Sequence, residues 1–230
     1  MTKALALLIL FLFTIVPAGI TQDSKDAVAV DPTHHKVVLE NDHVRVFEVL
    51  AAPGDKSPMH SHFPLILVSL SKARLRSTQP DGKTAIFDLF PAQVSWLENV
   101  THSWELLAGQ VHVFAVEPKA AQKKKEGTAA VRNNPKDAVT VDATHHHVVL
   151  DNDHVRVFEV LAAPGDKSPM HTHYPLVLIS MSKARLRMNQ PDGKASIFDL
   201  HPGQVAWMEN VEHSWELLAG QVHVVAVEVK

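Results

Sequence analysis

Residues 25–119 and 136–230 align at a constant offset of 111 with no gap, and 75 of the 95 paired positions are identical. This repeat constrains the chain more than any other feature, because whatever one segment folds into, the other must fold into as well. The differences are mild: Ser61 against Thr172, Phe63 against Tyr174, Ile66 against Val177. Each unit is long enough to enclose a core, and packing the two together would bury further surface. Between them lies PKAAQKKKEGTAAVRNNP, rich in Lys, Ala and Asn and without apolar periodicity, which reads as a solvated linker. The expected organisation is one domain at 25–119, a linker at 120–135 and a second domain at 136–230.

Within a unit the texture is that of short strands. VRVFEVL (44–50), PLILVSL (64–70), ARLRSTQ (73–79), TAIFDLF (84–90), QVSWLEN (93–99), HSWELL (102–107) and VHVFAVE (111–117) are separated by turn signals such as APGD and PDGK. No stretch sustains the i, i+3, i+4, i+7 spacing of an amphipathic helix. Hydrophobic residues make up 46% and charged residues 20%, a balance that permits a packed core. The pattern predicts an all-β chain, each unit a small barrel or double-sheet jelly roll.

Sixteen histidines and no cysteine point the chemistry toward imidazole and exclude thiolates and disulfides. PGDKSPMHSH (53–62) and its copy PGDKSPMHTH (164–173) carry the densest signal. Alternate side chains of a strand share a face, so His60 and His62 point together, as do His171 and His173. Two imidazoles so placed chelate one ion, and a barrel interior surrounds it with a dry, shaped cavity. A later histidine precedes an apolar strand in each copy, His102 and His213.

These residues resemble the cupin superfamily. Gly54 to His62 and Gly165 to His173 match the first part of its motif G-x5-H-x-H-x3,4-E-x6-G. The second motif survives only in degenerate form, as LENVTHSWEL around His102 and MENVEHSWEL around His213. The resemblance covers each repeat and implies two tandem jelly-roll barrels, a bicupin. It implies a metal held by His60, His62 and His102 in one barrel and by His171, His173 and His213 in the other. The family glutamate would fall at 66 or 67 and at 177 or 178, where Ile66, Leu67, Val177 and Leu178 stand instead. A neutral three-histidine set favours Fe(II), Zn(II), Ni(II) or Cu(II) over hard ions that want carboxylates, and the resemblance makes Fe(II) the first expectation among them. Three-histidine cupins include dioxygenases, so the resemblance implies a dioxygenase-like enzyme on a small organic molecule. The competing reading is a non-catalytic metal- or ligand-binding module.

Other histidines read differently. His112 and His223, among alternating valines, are expected on the outer sheet face. His34, His35 and His145 to His147 are expected in an exposed segment before the first strong strand. His201 has no counterpart in the first copy, where Phe90 stands. Strand parity turns Glu105 and Glu216 away from His102 and His213, and it places Trp104 and Trp215 on the histidine side. Trp96 and Trp207 read the same way, as cavity wall or core. Arg74, Arg76, Arg185 and Arg187 alternate with apolar residues and are expected in solvent. Glu48 and Glu159 share parity with Val44 and Val46, or Val155 and Val157, and so are expected to reach the interior as a base or a partner of a ligand histidine.

The N-terminus, MTKALALLILFLFTIVPAGITQ, has a basic start, an apolar run of some thirteen residues and small residues near Ala18. That is the form of a signal peptide over 1–20, too short to span a bilayer stably. The expected location is periplasmic or extracellular. A net charge of −3 argues against nucleic acid as a partner. The expected partner is a small molecule, and the two barrels are expected to pack as an intramolecular pseudo-dimer.

Overall fold

The computed structural model describes residues 25–122 and 134–230. The leader expected at 1–20 and most of the 120–135 linker lie outside the described residues. No helix among them is long and apolar enough to cross a membrane.

The first repeat opens with a single helical turn, α1 (Ala27–Val30), whose N-cap Asp26 accepts the backbone N–H groups of Val28 and Ala29. Nine strands follow: β1 (His35–Glu40), β2 (Val44–Ala51), β3 (Lys56–His62), β4 (Leu65–Ser69), β5 (Ala73–Thr78), β6 (Thr84–Leu89), β7 (Val94–Leu97), β8 (Val100–Gly109) and β9 (Val111–Pro118). The second repeat copies this as α2 (Ala138–Val141), β10 (His146–Asp151), β11 (Val155–Ala162), β12 (Lys167–Thr172), β13 (Leu176–Ser180), β14 (Ala184–Asn189), β15 (Ala195–Leu200), β16 (Val205–Met208), β17 (Glu212–Gly220) and β18 (Val222–Val229). In each repeat a five-stranded sheet ordered β1-β2-β9-β4-β7, or β10-β11-β18-β13-β16, faces a four-stranded sheet ordered β3-β8-β5-β6, or β12-β17-β14-β15. Every named pair is antiparallel, which makes each repeat a jelly-roll barrel as expected.

The two faces of the five-stranded sheet explain why its strands read as almost unbroken apolar runs. One phase of β2, β4 and β9 supplies Phe47, Val49, Leu65, Val113 and Ala115 to the barrel interior. There they meet Leu75, Trp104 and Leu106 of the opposite sheet. The other phase supplies Val44, Val46, Ile66, Val68, Phe114 and Val116 to a separate cluster. Their equivalents from the second repeat complete it, Val155, Val157, Val177, Ile179, Val225 and Val227. The barrels therefore sit back to back through their large sheets. Ring stacks flank this seam, His43 on Trp207 at 5.3 Å and Trp96 on His154 at 5.4 Å. Trp96 and Trp207 thus belong to the seam and not to the cavity walls.

Glycine is required where β8 turns into β9. Gly109 has φ of 80°, and a Cβ there would lie 2.2 Å from the carbonyl oxygen of Lys72. The turn before β7 shows the opposite case, for Ala92 takes φ of 64° where the second repeat has Gly203 at 80°. Left-handed backbone costs an L-residue roughly 1–2 kcal/mol, partly offset by glycine's greater freedom when unfolded. Ala92→Gly should therefore raise stability by about 0.5–1 kcal/mol, whereas Gly109→Ala should lower it by more than that. Urea unfolding of both variants tests the pair of signs; two changes of the same sign would contradict this backbone.

A candidate metal centre in each barrel

The site is built from three strands and one turn. A register irregularity between Ser57 and His60 sets His60 directly across from His102 on β8, and the same shift pairs His171 with His213. His62 follows two residues after His60, and Phe47 stacks on its ring at 5.6 Å and 9°. His60 and His171 are completely buried. The sequence-expected three histidines meet in both barrels, with ring centroids 4.8 Å (His60–His102) and 5.4 Å (His62–His102) apart in the first. The second gives 4.7 Å for His171–His213 and 5.2 Å for His173–His213.

A fourth imidazole joins them. His35, at the start of β1, is only 2% exposed, and its ring lies 4.8 Å from that of His60. His146 holds the equivalent place, 4.9 Å from His171. Nitrogen atoms of His35, His60 and His62 all lie within 4.8 Å of one another, as do those of His146, His171 and His173. The expectation of an exposed segment is therefore wrong for His35 and His146. Strand parity gave no warning, since the same face of β1 carries the exposed Val37 and Val148 takes the same place in β10. The reach inward comes from the preceding turn, where the amide of His35 bonds the carbonyl oxygen of Asp31.

Backbone carbonyls decide which ring nitrogens face inward. His60 Nδ1 lies 2.7 Å from the carbonyl oxygen of Pro58, and His35 Nδ1 lies 3.2 Å from that of Asp31. A carbonyl only accepts, so both Nδ1 atoms carry the proton and both Nε2 atoms present lone pairs. His171 and His146 repeat this with Pro169 at 2.8 Å and Asp142 at 3.0 Å. Asp31 also ties the set together: Ser57 Oγ donates to its carboxylate at 2.5 Å and lies 3.1 Å from His60 Nδ1. Toward the centre, His60 Nε2 faces His62 Nε2 at 3.0 Å. His173 Nε2 lies 3.0 Å from His171 Nε2 and 3.2 Å from His213 Nε2. His62 Nδ1, His102 Nε2, His146 Nε2, His173 Nδ1 and His213 Nδ1 are buried without a hydrogen-bond partner. Buried polar atoms are almost always paired. Convergent lone pairs beside orphaned nitrogens are what an imidazole-bound cation requires, so the donor set fits a borderline divalent metal.

Burial holds these imidazoles neutral. It pushes His35 and His102 down to about 4, His62 to about 2, His146 to about 4 and His213 to about 3. Repulsion from neighbouring rings adds to burial in each of these. His60, His171 and His173 are lowered as well, again chiefly by burial.

Each cluster borders an apolar cavity. The first barrel's is about 70 Å³, walled by Phe47, Leu67, Leu75, Phe87, Leu97 and Trp104 among others. The second barrel's is about 60 Å³, and Met188, Phe198, Met208 and His213 also line a wider outer chamber of about 520 Å³. His213 thus stands where the chamber meets the inner cavity.

No family model and no curated protein matches the sequence. Solved structures do match. A single-site variant of oxalate decarboxylase from Bacillus subtilis aligns over 84% of this chain and 71% of its own, with a TM-score of 0.56 and 13% identity. Oxalate decarboxylase of Lactobacillus farciminis, solved as a formate complex, covers 81% and 77% at a TM-score of 0.52 and 15% identity. Vicilin from Solanum lycopersicum (tomato) covers 81% and 74% at a TM-score of 0.50 and 12% identity. Each alignment runs through both barrels. The chain has the bicupin fold. Identities this low speak for that fold and not for a shared reaction.

Within this bicupin the expected carboxylate position is apolar in both barrels. Leu67 and Leu178 line the cavities, while Ile66 and Val177 point into the seam. Glu48 and Glu159 are not interior residues. They share the seam-facing phase of Val44 and Val46, and Glu48 bonds His112 Nε2 at 2.8 Å as Glu159 bonds His223 at 2.9 Å. This agrees with outer-face placement of His112 and His223. The interior phase of β9, set by Val113 and Ala115, carries Glu117 instead, fully buried, and β18 carries Glu228 likewise. That signal was present in the alternation of VHVFAVE once the right phase was known. Trp104 and Trp215 line the cavities as expected. Glu105 faces outward, paired with Lys56 and Arg76.

Neutral buried imidazoles make stability depend on pH. Their unfolded value, near 6.5, lies above the folded one, so the unfolded chain takes up protons first as pH falls. Stability is then lost from about pH 6.5 downward toward the folded values near 4. Glu117 acts in the opposite sense, because burial raises it to about 7 against the pull of Arg45, and its contribution fades as pH rises through that value. Four lowered imidazoles outweigh one raised carboxylate in the first barrel. Thermal melts of metal-free protein should show a clearly lower midpoint at pH 5 than at pH 7; equal midpoints would contradict a neutral buried cluster.

Proposed function

We propose that this is an exported bicupin that binds one divalent transition metal per barrel and uses it in a dioxygenase-like reaction on a small organic molecule. The observation that carries the reading is the convergence of Nε2 lone pairs, fixed by the carbonyls of Asp31 and Pro58 and of Asp142 and Pro169. His60, His62 and His102 would hold the metal in the first barrel and His171, His173 and His213 in the second, with His35 and His146 within reach. Such an ion supplies a Lewis acid and, when it is iron, a redox centre for O₂ chemistry. The protein's own part is to exclude water and to select by size. A space of about 60 Å³ holds only about two water volumes, so the reacting part of a ligand must be small and apolar. Any remainder lies in the outer chamber beside Gln190, Asp192 and Glu212.

A non-catalytic metal- or ligand-binding module is the second reading, favoured by how little room each inner cavity leaves beside the histidines. Metal analysis and oxygen uptake separate the two. The enzyme reading expects bound iron and O₂ consumption that depends on an added small substrate. Tightly held zinc or copper without oxygen uptake supports the binding module. Metal content unchanged by His60→Ala and His171→Ala together would overturn the enzyme and the metal-binding module alike.

The two sites are also expected to differ. His102 Nδ1 has Ser77 Oγ at 3.2 Å, but the second repeat has Met188 at that position, and His213 Nδ1 is left without a partner. Hydrogen-bonded partners of ligand histidines are worth about 10–100-fold in metal affinity. Calorimetric titration should resolve a tighter first-barrel site, and Ser77→Met should remove most of the difference.

A further inference from the structure

Each barrel buries a carboxylate behind its histidines that the proposed chemistry leaves unused. Glu117 sits on β9 directly across from Arg45 on β2. Its Oε2 accepts Arg45 Nε at 2.8 Å and Nη2 at 2.7 Å, and Nη2 also donates to Asp26 Oδ2 at 2.6 Å. Arg45 thus lies between two buried carboxylates. Glu117 is fully buried, and the backbone N–H of Phe63 is also turned to its carboxylate. In the second barrel Glu228 is held by Arg156 Nε at 2.8 Å and Nη2 at 2.6 Å, with Asp137 beyond. Glu228 Oε1 accepts the backbone N–H of Tyr174 at 3.2 Å and lies 3.9 Å from His173 Nδ1.

His173 Nδ1 is itself buried without a hydrogen-bond partner, as is His62 Nδ1 in the first barrel. The Nε2 of each ring points to the centre of the cluster. A neutral imidazole has one proton. With that proton on Nε2, the ring donates to a neighbouring histidine and, in the second barrel, turns a bare Nδ1 toward Glu228. With a cation on Nε2, the proton must sit on Nδ1, and a buried N–H needs an acceptor. In the second barrel, at 3.9 Å, Glu228 is one small adjustment from accepting it, and Glu117 holds the equivalent strand position in the first.

We propose that Glu117 and Glu228 are positioning residues for the metal sites: each accepts the Nδ1 proton of His62 or His173 when Nε2 is metal-bound. Each also supplies the negative charge that an all-imidazole ligand set lacks. The carboxylate missing from the ligand positions at Leu67 and Leu178 is thereby replaced one ring further out. Arg45 and Arg156, anchored on Asp26 and Asp137, aim it. The inference rests on the metal-binding reading above.

Glu228→Gln keeps shape and removes the charge in one barrel, leaving Glu117 as an internal control. In competition titrations with Zn(II) and a chelator, wild type should bind two equivalents. In E228Q one of these should weaken about 10–100-fold while the other is unchanged, a split that general loss of folding cannot produce. E117Q should weaken the other equivalent. On Zn(II)-loaded wild type, ¹⁵N-resolved imidazole spectra should show His62 and His173 protonated at Nδ1 in slowly exchanging N–H groups. Two full-affinity equivalents in both variants would overturn the proposal alone, as would Nδ1 found unprotonated in the loaded protein. Wild type that takes up no metal would overturn the metal-binding reading itself.

Discussion

Everything else in this molecule depends on the burial of both faces of its five-stranded sheets. One face closes the barrel and the other closes the seam, so β2, β4 and β9 have no solvent side along their central residues. The inner face thereby closes the barrel over the histidine cluster, whose His60, His62 and His102 stand on β3 and β8 of the facing sheet while His35 enters from β1. A cluster of four imidazoles in open solvent would be hydrated and partly protonated. Inside the barrel it is buried and neutral, with its Nε2 atoms turned toward one another.

Within that dry space the backbone does the aiming. Pro58 and Asp31 contribute carbonyl oxygens, which cannot donate, and so they fix where the protons of His60 and His35 lie. Side-chain partners could rotate or exchange roles, but a carbonyl held by the surrounding strands cannot. This separates the cluster from ordinary buried histidines, which settle into mutual hydrogen bonds with every nitrogen satisfied. Here two imidazole nitrogens in the first barrel and three in the second remain unsatisfied.

The strands and the His-x-His face were legible in the sequence because both depend on local alternation. Parity and turn context single out His60 and His62, the family resemblance adds His102, and the structure brings the three together. Glu48 was misplaced because alternation alone does not say which of two apolar faces is the barrel interior; a sheet buried twice offers two equally apolar phases. Choosing the wrong one moved attention from Glu117 to Glu48. His35 was missed for a different reason. Its position comes from a turn anchored on Asp31, and that turn's path depends on Ser57, twenty-six residues away. Trp96 reads as cavity wall or core because the expected packing of the two barrels does not by itself say which strand face lies at their seam.

Fusion of the two barrels has a consequence that the near-identity of the repeats conceals. In an assembly of two identical chains, every substitution strikes both halves at once, and a change tolerable in only one place is rejected. Joined in a single polypeptide, the halves can drift separately. Ser77 stands beside His102 where the second repeat has Met188, and Phe90 stands where it has His201. One barrel is thus free to keep an inherited task while its twin explores another.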